Sequence, residues 1–297
     1  MGTVTGTRGL GAILTAIVTP FDEQGAVDEE SFVALMHHLA ENGSDGFVIA
    51  ATTGEAATLT DDEQIELIGL AIAERPAGKT IIAGTGTNDT RHAVELTERA
   101  TALGPDAIIS VTPYYNRPSP LGLIRHYEAI AAATDRPIML YNIPSRTGTN
   151  IGPELLAELA QIDGINAVKQ ANPDELQLID GLDIYAGDDS TLARTLDLGG
   201  TGGVCVSSHI VGNEMRRMVD EPDRRAAINA SLQDVYEALF LAPSPTCTKA
   251  ALNMLGHNVG GLRLPMVEAT PDERDTVRAM LERHGLPITD RPASTPA

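Results

Sequence analysis

Thr80-Ile81-Ile82-Ala83-Gly84, a helical pattern over 89–103, Ala107-Ile108-Ile109-Ser110-Val111-Thr112-Pro113 and a second helical pattern over 119–134 follow one another in this chain. The two short runs are apolar on both faces and rich in β-branched residues, which is how a strand buried on both sides reads. The helical stretches are amphipathic, and several open on Asp, Thr or Ser as N-cap. The same unit continues in both directions. Further strand candidates begin near Ala12, Gly46, Ile138, Asn166, Ile184 and Gly203, with helical patterns over 28–42 and 61–75. Strand followed by helix, eight times over, predicts an α/β fold of the closed parallel kind, a (β/α)8 TIM barrel, with an open doubly wound sheet as the alternative. In a barrel the chemistry sits at the C-terminal ends of the strands.

After residue 220 the strand signal stops, and 223–241, 245–256 and 271–284 read as helices. The expected organisation is therefore a barrel over 1–220 and a helical region over 221–297, with the last ten residues, rich in Pro, Thr and Ser, frayed. A formal charge of −20 over 297 residues disfavours nucleic acid and anionic lipid as partners. The two cysteines, Cys205 and Cys247, are too few for a secreted disulfide framework. No basic-then-apolar leader, no bilayer-length apolar run and no Cys/His cluster suited to zinc is present, so a cytoplasmic, metal-free protein is expected.

Lysine is scarce: Lys79, Lys169 and Lys249 stand against eighteen arginines. Lys169 ends the apolar run Gly164-Ile165-Asn166-Ala167-Val168-Lys169. Unlike guanidinium, an amine can lose its proton and attack a carbonyl, so this position is a Schiff-base candidate; the alternative is a strand-end lysine with its head in water. Polar residues gather at other strand ends. Thr52-Thr53-Gly54-Glu55 follows the second strand candidate, where turn N–H groups and hydroxyls could meet a carboxylate or could simply form a turn. Tyr114, Tyr115 and Tyr141, three of only six tyrosines, follow the fourth strand candidate or end the fifth. Each alone reads as a core plug with a wet hydroxyl; together with the threonines, an arginine and a lysine they read as a catalytic cluster.

Six segments carry a family resemblance: Thr52-Thr53-Gly54-Glu55, Thr112 to Pro118, Tyr141 to Gly148, Lys169, Gly187-Asp188-Asp189 and Leu262-Arg263-Leu264-Pro265. From Ile13 to about Leu286 the chain resembles the dihydrodipicolinate synthase (4-hydroxy-tetrahydrodipicolinate synthase) family of the pyruvate-dependent class I aldolase superfamily. The resemblance implies that Lys169 forms an imine with pyruvate, that Tyr141 moves protons, and that Thr52 and Tyr115 complete a hydroxyl relay, with Tyr115 supplied by a neighbouring subunit. It also implies that Thr53 and the backbone around Val204 hold the pyruvate carboxylate, that Gly187 lines the cavity, and that Arg146 holds the carboxylate of L-aspartate 4-semialdehyde. The implied assembly is a homotetramer built from two tight dimers. No cofactor beyond the covalent imine is implied.

The chain departs from the family pattern in several places. Gln170 stands where glutamate is usual, Ala51 replaces a common glycine, and the interval from Lys169 to Gly187 is shorter by roughly two helical turns, so a truncated sixth helix is expected. Members inhibited by lysine use two histidines, a glutamate, an asparagine and the first tyrosine. Here Asp61, Gln64 and His92 replace the first three while Asn88 and Tyr114 remain, so weak or absent inhibition is expected. Two other readings share part of this pattern: an aldolase or dehydratase for sugar-derived 2-keto acids, which would not need Arg146, and a barrel that binds a keto acid without turning it over.

Overall fold

The computed structural model of the chain describes residues 7–289. Eight parallel strands close on themselves in sequence order: β1 (Ile13–Ala16), β2 (Gly46–Ile49), β3 (Thr80–Gly84), β4 (Ala107–Val111), β5 (Ile138–Asn142), β6 (Ile165–Gln170), β7 (Asp183–Ala186) and β8 (Gly202–Cys205). Closure is made by β1 against β8, with Leu14 opposite Val204 and Thr15 opposite Cys205, which excludes the open sheet.

Side-chain alternation sorts each strand into two cores. Leu14, Val48, Ile82, Ile109, Met139, Ala167, Tyr185 and Val204 fill the barrel interior. Their strand neighbours, among them Phe47, Ile81, Ile108, Leu140 and Val168, pack outward against the helices. Lys169 lies two residues beyond Ala167 on β6 and therefore belongs to the inner set.

The outer layer begins with α1 (Glu29–Glu41), α2 (Asp61–Ala73), α3 (Thr90–Leu103) and α4 (Pro120–Ala132). Each starts where a side chain accepts from an otherwise orphaned N–H: Asp28 from Ser31, Thr60 from Glu63 in a full capping box, Asp89 from Arg91, and Ser119 from Gly122. After β5 come the single turn α5 (Pro144–Thr147) and α6 (Pro153–Leu159), then α7 (Leu192–Asp197) after β7 and α8 (Ser208–Asp220) after β8.

Between β6 and β7 there is no α-helix at all. Only a 3-10 turn, Pro173–Glu175, and an isolated bridge between Ile179 and Leu182 connect them. The expected truncation is thus complete: Leu176 and Leu182 cover the outside of the barrel in place of a helix, and Arg194 ties the turn down by donating to the Pro173 carbonyl.

The chain continues as α9 (Arg225–Ser231), α10 (Gln233–Leu239), α11 (Thr246–Met254) and α12 (Pro271–Arg283). The single helix read over 223–241 is broken. Pro222–Arg224 forms a 3-10 turn, and Leu232 leaves helical geometry (φ −104°, ψ 0°) between α9 and α10. Buried Leu232 joins Val235, Met280 and Leu281 in an apolar cluster that also takes in Ile13 of β1 and Cys205 of β8. The C-terminal helices are therefore packed onto the β8–β1 side of the barrel. The expectation for the last ten residues falls largely on 290–297, outside the described residues. Among the described residues no helix is long and apolar enough to cross a membrane, and no cluster of three or more His, Cys, Asp or Glu is arranged to hold a metal ion.

Candidate active site

A cavity of about 410 Å³ opens at the C-terminal ends of the strands, bounded among others by Thr52, Gly84, Val111, Tyr114, Tyr141 and Arg146. Beside it lies Lys169. The lysine is only 5% exposed, and in the strand register it stands between Tyr141 of β5 and Tyr185 of β7. Its Nζ is 4.2 Å from the centroid of the Tyr141 ring, which faces an ammonium or an amine with its electron-rich π surface. The solvent-reaching alternative for Lys169 is excluded by this burial. Tyr185 is turned away, its hydroxyl donating to the Gly11 carbonyl at 3.1 Å. Tyr141 is thus the phenol that Lys169 shares with the cavity.

The turn after β2 presents the paired threonines, Thr53 buried and Thr52 lining the cavity. The turn is tight: Glu55 N–H donates to Thr52 O at 3.1 Å and Ala56 N–H to Ala51 O at 3.2 Å. Two non-glycine residues, Ala50 (φ 52°) and Glu55 (φ 56°), take left-handed backbone there, while Ala51 does not. The methyl of Ala51 in place of a glycine therefore adds no left-handed strain.

Arg146 sits on the one-turn α5, placed by Pro144 at its start and by the left-handed Gly148 that ends it. Its side chain is exposed, lines the cavity and forms no ion pair with any described residue. The loop after β4 behaves differently. Tyr115 (φ 72°) and Arg117 (φ 49°) are left-handed, and the loop is fastened by Tyr115 N–H to Thr147 O, Asn116 Nδ2 to Asn88 O and Arg117 Nε to Gly148 O. Bulky residues rarely adopt such backbone without cause. Its result is that Tyr115 projects away from the cavity, 89% exposed.

Gly187 follows the end of β7, and Val204 lies on β8. Val204 is an interior residue of β8. Gly187 is pressed against β6: a Cβ there would lie 2.8 Å from Ala171 N and 2.9 Å from the Gln170 carbonyl carbon. Gln170 faces outward, and its Oε1 accepts from Asn142 Nδ2 and Asn172 N–H, both at 3.0 Å. The change from glutamate thus falls in an amide network on the outer face of β5 and β6.

The Gly187-Asp188-Asp189 run ends on a residue whose part the run itself does not state. Asp189 is buried at the end of β7, accepts from Val206 and Ser207 N–H and so fastens the end of β8; burial holds its carboxyl above the usual range despite these bonds. The remaining lysines have other tasks. Lys79 donates to Ser44 O at 2.7 Å. Lys249 is buried beside Glu55, a contact that the Thr-Thr-Gly-Glu run hints at only through its acid.

A sequence model of the dihydrodipicolinate synthetase family matches residues 9–284. The 4-hydroxy-tetrahydrodipicolinate synthase 2 of Halalkalibacterium halodurans is 41% identical over 285 residues, covering 92% of this chain and 98% of that protein. Among solved structures, the dihydrodipicolinate synthase of Cyanidioschyzon merolae with lysine bound is 39% identical at a TM-score of 0.89, over 94% of this chain and 99% of the other. The chloride-inhibited enzyme of Acinetobacter baumannii complexed with pyruvate is 34% identical at a TM-score of 0.90, over 93% and 99%. A match of this extent to both sequence and fold means that the chain belongs to the dihydrodipicolinate synthetase family.

Proposed function

We propose that this chain is a Schiff-base synthase that condenses pyruvate with L-aspartate 4-semialdehyde to give 4-hydroxy-tetrahydrodipicolinate, the lyase reaction of lysine and diaminopimelate biosynthesis. The observation that carries the reading is Lys169, buried at the barrel mouth with its Nζ 4.2 Å from the ring of a cavity-lining tyrosine. The amine of Lys169 adds to the keto carbon of pyruvate and water leaves, giving an iminium. That cation withdraws electrons, so a C3 proton departs and an enamine forms. The enamine carbon attacks the aldehyde carbon of the second substrate, whose oxygen takes a proton and becomes the hydroxyl. The substrate's own amine then attacks the imine carbon, closes the ring and expels Lys169 as free amine.

Tyr141 carries protons between these steps, with Thr52 on the same cavity as the next hydroxyl. Thr53 and the backbone around Val204 hold the pyruvate carboxylate, Gly187 lines the cavity, and unpaired Arg146 offers two parallel donors to the carboxylate of the semialdehyde. Tyr115 completes the relay in a neighbouring copy, which accounts for a strained loop that presents a phenol to solvent. The active unit is then at least a dimer, and a tetramer of two such dimers follows the family. The covalent imine needs no further cofactor, and two buried free thiols suit a reducing cytoplasm.

A steady-state assay decides between substrates. Turnover of pyruvate with the semialdehyde, far above turnover of sugar-derived 2-keto acids, is the expected result; preference for a sugar-derived acid would overturn it.

A further inference from the structure

Lys249, on α11, takes no part in the proposed reaction, yet it is 1% exposed. Its Nζ lies 2.7 Å from Glu55 Oε1, donates to Gly261 O at 2.7 Å and sits 4.2 Å from the centroid of the Phe21 ring. Glu55 Oε2 accepts from the backbone N–H of Arg263 at 3.1 Å. Arg263 extends the attachment, donating to Gly25 O and Thr58 O and pairing with Glu63. Two cations from the C-terminal region thus grip the turn after β2 from behind.

Stability alone is a poor reason for this arrangement. A buried ion pair is often matched or bettered by apolar residues of similar volume, and a left-handed glutamate costs roughly 1 kcal/mol or more. Both costs fall on one residue, and that residue ends the turn carrying Thr52 and Thr53, to whose first carbonyl its N–H is bonded. Gly54, between them, is itself held through its carbonyl by Thr19 Oγ1 at 2.7 Å. The turn is thus held at Thr52, at Gly54 and at Glu55.

We propose that Lys249 and Glu55 are a positioning pair for the keto-acid end of the site: the buried ammonium holds the Glu55 carboxylate, and so the left-handed turn that presents the Thr52 and Thr53 hydroxyls. Neither residue touches substrate. This rests on the reading of pyruvate as the keto acid, and the pair makes α11 part of the site's support.

The test uses the full chain with Glu55→Gln, which keeps shape and removes charge, and Lys249→Met. Folded variants, selected by circular dichroism, are compared with the parent for the pyruvate concentration that half-saturates borohydride trapping on Lys169, and for kcat and both KM values. A rise in half-saturating pyruvate of about tenfold or more, accompanied by a fall in kcat as the Thr52 relay hydroxyl is displaced and with KM for the semialdehyde unchanged, is expected. Folded variants that trap pyruvate at the parent's concentration, or that lose kcat alone, would overturn the pair's role. Should neither variant fold, amide exchange of the parent chain decides: pyruvate is expected to slow exchange in both 52–58 and 246–254, and slowing confined to 52–58 overturns the proposal. Absence of any adduct in the parent chain would instead count against pyruvate itself.

Discussion

Lys169 and Tyr141 are register partners on β6 and β5, and the lysine Nζ lies 4.2 Å from the centre of the tyrosine ring. The ring gives the amine a buried resting surface, and the proposed relay assigns the hydroxyl a second task. Tyr141→Phe separates them. It retains the ring, so pyruvate is still trapped on Lys169, while kcat falls by about 10²- to 10⁴-fold with the loss of a proton carrier. Unchanged kcat, measured at saturating concentrations of both substrates, would remove Tyr141 from the relay.

Arg146 is the one cavity cation placed on a turn rather than a strand, and no described residue neutralises it. Arg146→Ala is expected to lower kcat/KM for the semialdehyde by about 10- to 100-fold, the scale of hydrogen bonds to a charged group. Trapping of pyruvate on Lys169 should stay at the parent level. Equal damage to both substrates, in steady-state kinetics, would place the arginine elsewhere in the reaction.

The residues that replace the family's lysine-binding set are already engaged. His92 Nε2 lies 2.9 Å from both Asp61 carboxylate oxygens, and Gln64 donates to the carbonyls of Ala56 and Leu59. A ligand ammonium would have to compete for Asp61 and would find no second carboxylate in the positions compared. L-lysine is therefore expected to inhibit by less than half at about 1 mM, a weak-binding scale. Half-inhibition at submillimolar lysine, in the same assay, would contradict this.

His209 sets an acid limit on stability. Its Nδ1–H donates to Val206 O at 2.7 Å and its Nε2 accepts from Val18 N–H at 3.2 Å, so the folded ring is neutral. Burial pushes its pKa down to about 4, against an ordinary 6.5, despite the bond to Val206. Between those two values the unfolded chain binds the extra proton and the folded chain does not, so stability falls as pH drops from 6.5 towards 4, by on the order of 3 kcal/mol from this group. His126, also depressed to about 4 by burial, acts in the same direction. Denaturant unfolding across this window, in the parent and in His209→Gln, should show a smaller acid loss in the variant; equal slopes would exclude His209 as a contributor.

The barrel was readable because every one of its strands is buried on both faces and most of its longer helices start on capping side chains: Ile81-Ile82-Ala83 and the Asp89 cap announce themselves locally. The break at Leu232 was not, since helix periodicity continues through it and only the shared apolar cluster with Met280 and Leu281 explains the turn. Loss of a helix between β6 and β7 was legible as a shortened interval, but not the Asn142, Gln170 and Asn172 amide network beside it, which depends on contacts across strands. Lys169 declared itself by rarity and position. Lys249 shared the rarity but not the position, because its partner Glu55 is distant in sequence and meets it only once the C-terminal helices are packed.

Covalent chemistry at one of three lysine side chains underlies the proposed reaction. Borohydride reduction in the presence of pyruvate, followed by peptide mass mapping, should place a reduced adduct on Lys169 and leave Lys79 and Lys249 unmodified. No adduct, or one on either of the other lysines, would contradict the account.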